Sequence, residues 1–529
     1  MVSILAYGAL TFGFSCQFTT TENLLNGEFS GTDTTAPLLL SPKDKGVVVG
    51  LTAQLFWSAK SGTDKYTVEV SRSADFSLPI AGSPFTASGT SLSVTLPDTA
   101  QYWWRVKAPF TKGSLNVANF DAITDAVYVY CPENQTCSDN GRGGSKANPY
   151  QSISAALGAA KVLGVPVRVA SRGTGGQSYA EAISLIDGVA LYGGYDAQFS
   201  EAGRNAATNV TEITAGAIPL TASFITQNTI VDGFKITGQN AFALYLDNSN
   251  ANLTIRNSTI TSGDVNTGNA HGVYCKSSSA TLTGNTITAG GAINAGGSGL
   301  SYGIYNDACN GLIINNTIIG GMTASSGGSY GIFNTNGSSP TISNNTILSG
   351  TPATGPSIGI SITGSSGNAS NPKIVNNIIL SKGGGGTRTC IAETGSAGQA
   401  SPNQLRNNLL FSCTNLYTDS DGGGTITAVT GITTVNSCVT CATTTSGNVT
   451  ITVGQNPFVN LAGNNFRLQN NGSPMTAQEW QNVAYGGADT SAALLGSVIS
   501  DRDGASRTAT AAGALNTGAA GYSIGAYEY

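Results

Sequence analysis

The sequence predicts an all-β chain: a parallel β-helix solenoid preceded by a β-sandwich. Three observations carry this. One phrase recurs, as "TIRNSTITSG" (254–263), "TLTGNTITAG" (281–290), "LIINNTIIGG" (312–321), "TISNNTILSG" (341–350) and "KIVNNIILSK" (373–382). The repeat units hold short β-branched runs between Gly, Ser and Asn turns and contain no helical stretch. Before them, residues 36–127 read as short alternating strands separated by turn residues, the spacing of a sandwich.

At the N-terminus, residues 1–15 form a signal peptide whose h-region, 4–14, is too short to span a membrane. Gly13-Phe14-Ser15 before Cys16 resembles a bacterial lipobox, although Gly13 stands where Leu is usual and no Lys or Arg precedes the h-region. That resemblance implies a lipid on Cys16, an exported protein at the outer membrane or cell surface, and 16–35 as a polar tether. Without the lipid the protein is expected to be secreted. Contact with the membrane is then expected through the lipid alone.

Cysteine arithmetic agrees. Of nine cysteines, Cys131/Cys137 and Cys438/Cys441 are local pairs, and four more lie in the repeats. Eight can pair in an oxidising compartment, which leaves Cys16 over. The pairing of Cys275, Cys309, Cys390 and Cys413 stays open. A metal or redox reading of "CVTC" needs further ligands, and the chain has one His.

Within 36–127, "TAQLFWSA", "DKYTVEV" and "QYWWRVKA" resemble strands of a fibronectin type III module, with Trp57 as core tryptophan. Such a module implies a spacer or binding unit. Residues 128–165 then supply a linker and a capping helix, with apolar residues at 153, 156, 157, 160 and 163. A solenoid needs that cover, because its first coil would otherwise expose an apolar end.

The solenoid is expected over 166–430. Aligned on Ile318, the repeats place Ile230, Ile260, Ile287, Ile347, Ile379 and Leu410 in one column. The spacings are 30, 27, 31, 29, 32 and 31 residues. Asn228, Ser258, Asn285, Asn316, Asn345, Asn377 and Asn408 stand two residues earlier. Asn tolerates the left-handed bend between strands, and stacked amides can form a ladder. In phase with these run "FALY", "HGVY", "YGIY", "YGIF" and "IGIS", beginning at 242, 271, 302, 330 and 358. Residues 431–529 form a C-terminal end module. "NPFVNLAGNNFRLQNNGSPM", "SDRDGASR" and "YSIGAYEY", with the opening "CSDNGRGGSKANPYQSISAAL", resemble exported bacterial right-handed β-helix proteins of the choice-of-anchor type. The resemblance implies fold and export more than any activity, because such proteins include binders beside polysaccharide lyases and hydrolases.

Charged residues are only 10% of the chain and the net charge is −5, so there is no footprint for nucleic acid. Three Gly-x-Ser-x-Gly matches fall at one repeat position, and the only His precedes all of them. They are repeat, not nucleophile elbows. Between Ser277 and Pro372 the sole charge is Asp307, so those coils hold no acid–base pair. The catalytic candidates that remain are Asp232, Asp264, His271 and Lys276. Against catalysis stands a packed histidine, since alternation puts His271 on the Val/Ile face. No cofactor is expected. "DRDG" (501–504) and "DSDGGG" (419–424) keep calcium as an alternative, without the distal Glu of an EF-hand. Tyr245, Tyr274, Tyr305 and Phe333 follow the core position by one and so face outward, with Gly272, Gly303 and Gly331 expected on the same face. That row could stack on sugars or meet a surface protein; alternatively the rings stack on one another as scaffold. The expected function is binding or adhesion at the cell surface, plausible for glycans. The alternative is a lyase or hydrolase acting on an extracellular polysaccharide.

Overall fold

A computed structural model of the chain describes residues 35–468 and Ala526, apart from 113, 124, 174–176, 295–296, 325, 422–428 and 452–454. Cys16, the signal peptide, "DRDG" and most of the C-terminal signature lie outside the described residues.

The described N-terminal part is two packed sheets. One is antiparallel and three-stranded, with Thr52–Trp57 between Leu39–Ser41 and Ser91–Thr95. The other has five strands, Lys65–Ser71 and Gln101–Lys107 at its centre, and is antiparallel except where Gly46–Val49 joins Val117–Ile123. Alternation decides the packing: Ala53, Leu55 and Trp57 point inward, and Gln54 and Phe56 point outward. Trp57 is buried and meets Tyr66 edge-on at 5.5 Å.

The chain passes directly into the solenoid. Val127–Val129 is already the first strand of an 11-stranded parallel sheet that ends at Thr444–Ser446. Two further parallel sheets of nine strands complete each coil. We call these three sheets 1, 2 and 3, in the order the chain visits them. The parallel stack therefore begins before, and ends after, the segment marked by the sequence repeat. Helix Ile153–Leu163 starts where the Ser152 hydroxyl accepts the Ala155 N–H and stops at left-handed Gly164. Its buried residues, Ile153, Ala156, Leu157 and Ala160, join the solenoid core and cover its first coil.

Ile260, Ile287, Ile318, Ile347, Ile379 and Leu410 stack in register, all fully buried. The residue before Ile260 in this column is Ile236, not Ile230, and the column continues back through Ile213. That coil is short, so counting back about one repeat length lands on the preceding strand, Thr229–Asp232 of sheet 1.

The doubled asparagines divide two tasks expected of one residue. The first of each pair, Asn315, Asn344, Asn376 or Asn407, takes the left-handed bend (φ 53 to 60°). The second builds the ladder. Asn345 Oδ1 accepts both the Asn316 N–H (2.9 Å) and its Nδ2–H (3.0 Å), and the same pair of bonds recurs from Asn285 to Asn448. The ladder ends on a different element. Asn436, in helix Ile432–Ser437, accepts the Asn448 N–H and Nδ2–H at 3.0 and 2.9 Å.

Four disulfides are formed. Cys131–Cys137 and Cys438–Cys441 close short loops, whereas Cys275–Cys309 and Cys390–Cys413 join one coil to the next. Outside sheet 2, Ile319, Leu348, Leu380 and Phe411 form an apolar strip that the hairpin Phe458–Asn460/Asn465–Leu468 covers with Phe458 and Phe466.

Candidate functional site

The aromatic residues converge on the outer face of sheet 3, carried by strands Phe242–Asp247, Ala270–Lys276, Ser301–Asp307 and Ser329–Thr335. Their arrangement corrects the alternation expected from sequence. A Cβ on Gly272 would lie 2.9 Å from the Ile287 side chain, and one on Gly303 2.7 Å from that of Ile318. These glycines therefore face the interior, not the outer row. Val273 and Ile304, the next residues, are also interior. Two consecutive inward residues bend the strand, so His271 and Tyr274 both emerge outside. His271 is thus not on the Val/Ile face.

The result is a double aromatic row. Tyr245, Tyr274, Tyr305 and Phe333 stack at 5.5, 5.1 and 5.3 Å. Beside them Phe242, His271, Tyr302 and Tyr330 stack at 4.9, 5.1 and 5.1 Å. The rows meet edge to face, as at His271–Tyr274 (5.2 Å) and Tyr302–Tyr305 (4.9 Å). This is the favoured geometry for aromatic pairs. It also limits recognition: Tyr274 and Tyr305 have neighbours on both ring faces and present only their edges. The rows run out where Phe333 gives way to Ser361 and Tyr330 to Ile358.

Electrostatics follow from packing. Burial pushes the Tyr274 phenol up to about 12, helped by the Asp307 carboxylate. Burial pushes the His271 imidazole down to about 4, against the carbonyls of Ala241 and Asn269. His271 Nδ1 is buried with no hydrogen-bond partner among the described residues. A neutral, stacked imidazole is the consequence.

Of the remaining candidates, Asp232 and Lys276 lie away from it. Asp232 is buried on sheet 1 between Arg204 (3.1 Å) and Arg256 (2.7 Å). Asp264 follows a sheet 2 strand and accepts the Gly291 N–H at 2.6 Å. Lys276 is exposed at the far end of the His271 strand, roughly 17 Å away by strand rise.

Just upstream of the row that holds His271 and Tyr302, the loops preceding these two residues enclose a cleft of about 290 Å³. Asn266, Thr267, Asn269, Asn294 and Ser298 line it, and none is ionisable. Sequence reasoning missed this cleft, because loop residues carry no periodic signal. It also missed Glu393, which lies two residues after core Ile391 and is fully buried. The signal was an acid in the phase of an apolar column, ending near "DSDGGG". Compared with known proteins, the chain matches no family model, no curated protein and no solved structure.

Proposed function

We propose that the chain is an exported surface protein, lipid-anchored at Cys16, whose β-helix binds a neutral glycan. On this reading the sandwich is a fibronectin-like spacer. The observation that carries the reading is the cleft lined by amide and hydroxyl side chains, none of them ionisable, in the loops that lead into the aromatic strands. Amides and hydroxyls suit sugar hydroxyls, and ring edges add apolar contact without attracting ions. Stacking of sugars on Tyr274 or Tyr305 has no support, since both ring faces are taken. Binding is favoured over cleavage by the placement of Asp232 on sheet 1 and of Lys276 at the far end of the His271 strand, both away from His271.

The test is a panel of immobilised neutral and acidic polysaccharides, scored for retention at low and high salt and for release of reducing or unsaturated ends. Retention on a neutral glycan, insensitive to salt and without cleavage products, is expected. Thr267→Trp should fill the cleft and abolish retention with unchanged Tm. Release of unsaturated ends, or retention unaffected by T267W, overturns the reading.

A further inference from the structure

The last coils hold a group that no binding surface explains. In sheet 3 one column facing the bore runs Leu246, Cys275, Asn306, Asn334, Ile362, Glu393 and Asp419 in strict register. Asn306 donates to Asn334 Oδ1 at 2.9 Å, so the middle of the column satisfies itself. Glu393 and Asp419 do not. They are joined by Asp421, and ligand-capable oxygens of all three lie within 4.8 Å of one another. Glu393, Asp419 and Asp421 are 0, 2 and 3% exposed. No Lys or Arg pairs with any of them among the described residues.

Three carboxylates cannot be buried as bare anions; each would cost several kcal/mol, on the order of an unpaired buried charge. Two of their oxygens, Glu393 Oε2 and Asp419 Oδ1, are buried and have no hydrogen-bond partner among the described residues. Two others are held: Tyr417 Oη contacts Glu393 Oε1, and the Ala400 N–H donates to Asp421 Oδ2 at 3.0 Å. Tyr417 Oη also lies 2.7 Å from the Cys441 carbonyl, in the loop closed by Cys438–Cys441. One phenol proton cannot serve both acceptors, so a positive charge or an extra proton is missing from this site.

We infer that Glu393, Asp419 and Asp421 form a calcium site that seals the C-terminal end of the β-helix bore. A calcium ion bonds oxygens at about 2.3–2.6 Å, so any two of its ligands stand at most about 5.2 Å apart, and the trio's oxygens, all within 4.8 Å of one another, meet that limit. All-oxygen, all-acidic donors exclude soft ions. A dry, enclosed site disfavours magnesium, which keeps its waters. The ion ties Glu393 on one coil to Asp419 on the next and to Asp421 just after it. It thus fastens the final rung beneath the Cys438–Cys441 loop. The alternative is that protons do the same work: burial, joined by the Asp419 and Asp421 carboxylates, pushes the Glu393 carboxyl up to about 9.

Terbium, which occupies calcium sites and is sensitised by a neighbouring tyrosine, reads the site directly on the full chain after EGTA treatment. Saturable emission under tyrosine excitation is expected, displaced by Ca2+ and not by excess Mg2+. Tyr417→Phe should lower that emission while Tm still rises with the logarithm of free Ca2+. Glu393→Gln and Asp419→Asn should abolish both signals. If either variant fails to fold, the wild-type titrations decide. Tm independent of Ca2+, or emission that survives E393Q, overturns the calcium site. An E393Q chain more stable than wild type at pH 8 with no response to Ca2+ in either would assign the trio to protons.

Discussion

His271→Phe tests the aromatic rows where structure and titration meet. The imidazole occupies a rung between Phe242 and Tyr302, so a phenyl ring continues the stack at both neighbours. In the unfolded chain the imidazole titrates near 6.5; in the fold, burial holds it near 4. A depressed histidine pKa means that the unfolded state binds the extra proton. The fold therefore keeps its full stability above pH 6.5 and loses it as pH falls toward 4. The gap of about 2.5 pH units corresponds to roughly 3 kcal/mol. His271→Phe should remove that loss, so its advantage over wild type should grow by about 3 kcal/mol between pH 7 and pH 4. It also removes the orphaned Nδ1, worth about 1–3 kcal/mol at any pH, against the lost contacts to Ala241 and Asn269. Denaturation of both proteins across this range gives the difference directly and cancels every other titrating group. Because the chain has a single histidine, its imidazole NMR signals can be followed without assignment. Parallel stability curves, or an imidazole titrating near 6.5, would refute the buried, stacked placement.

Other perturbations give separate readings. Asn345→Ala removes the acceptor of two Asn316 donors and the donor to the Ile313 carbonyl, and should cost about 3–5 kcal/mol in denaturation. A cost below 1 kcal/mol would mean that the ladder is ornamental. Replacing Tyr274 and Tyr305 together by Ala breaks seven ring contacts and should cost roughly 4–10 kcal/mol. Near-native stability of that double variant would return the row to the solvent. Peptide mapping without reduction should find the pairs Cys131–Cys137, Cys275–Cys309, Cys390–Cys413 and Cys438–Cys441, and alkylatable thiols there would contradict it. A lipid on Cys16 predicts that Cys16→Ala moves the protein from the membrane to the soluble fraction; unchanged partitioning would remove the anchor.

The repeat was legible because a stacked column imposes one residue type at one phase, and "NNTI" writes three columns at once. What the sequence could not divide was the pair itself, since either asparagine suits both a left-handed bend and a ladder. The period-2 rule placed Tyr274 correctly and His271 wrongly for one reason: it assumes an unbroken strand, and Gly272 lets the strand bend inward twice. Counting by a mean repeat also failed at Ile230, where the coil is short. Glu393 escaped notice because an acid in a strand is read as solvent-facing. Only the register with Ile362 and Asp419 puts it in the bore.

The two coil-to-coil disulfides have a mechanical consequence. A protein held at a surface by one end and gripped elsewhere is loaded along its chain. A solenoid whose coils touch only their neighbours would then pay out like thread from a spool. Cys275–Cys309 and Cys390–Cys413 enclose 34 and 23 residues of sequence separation, and tension crosses each through the sulfurs instead of the intervening coil. The chain is thereby shorter at full extension by roughly 120 and 80 Å at these two points. In the oxidised state both lengths stay hidden from the pulling force; reduction would release them and lengthen the tether.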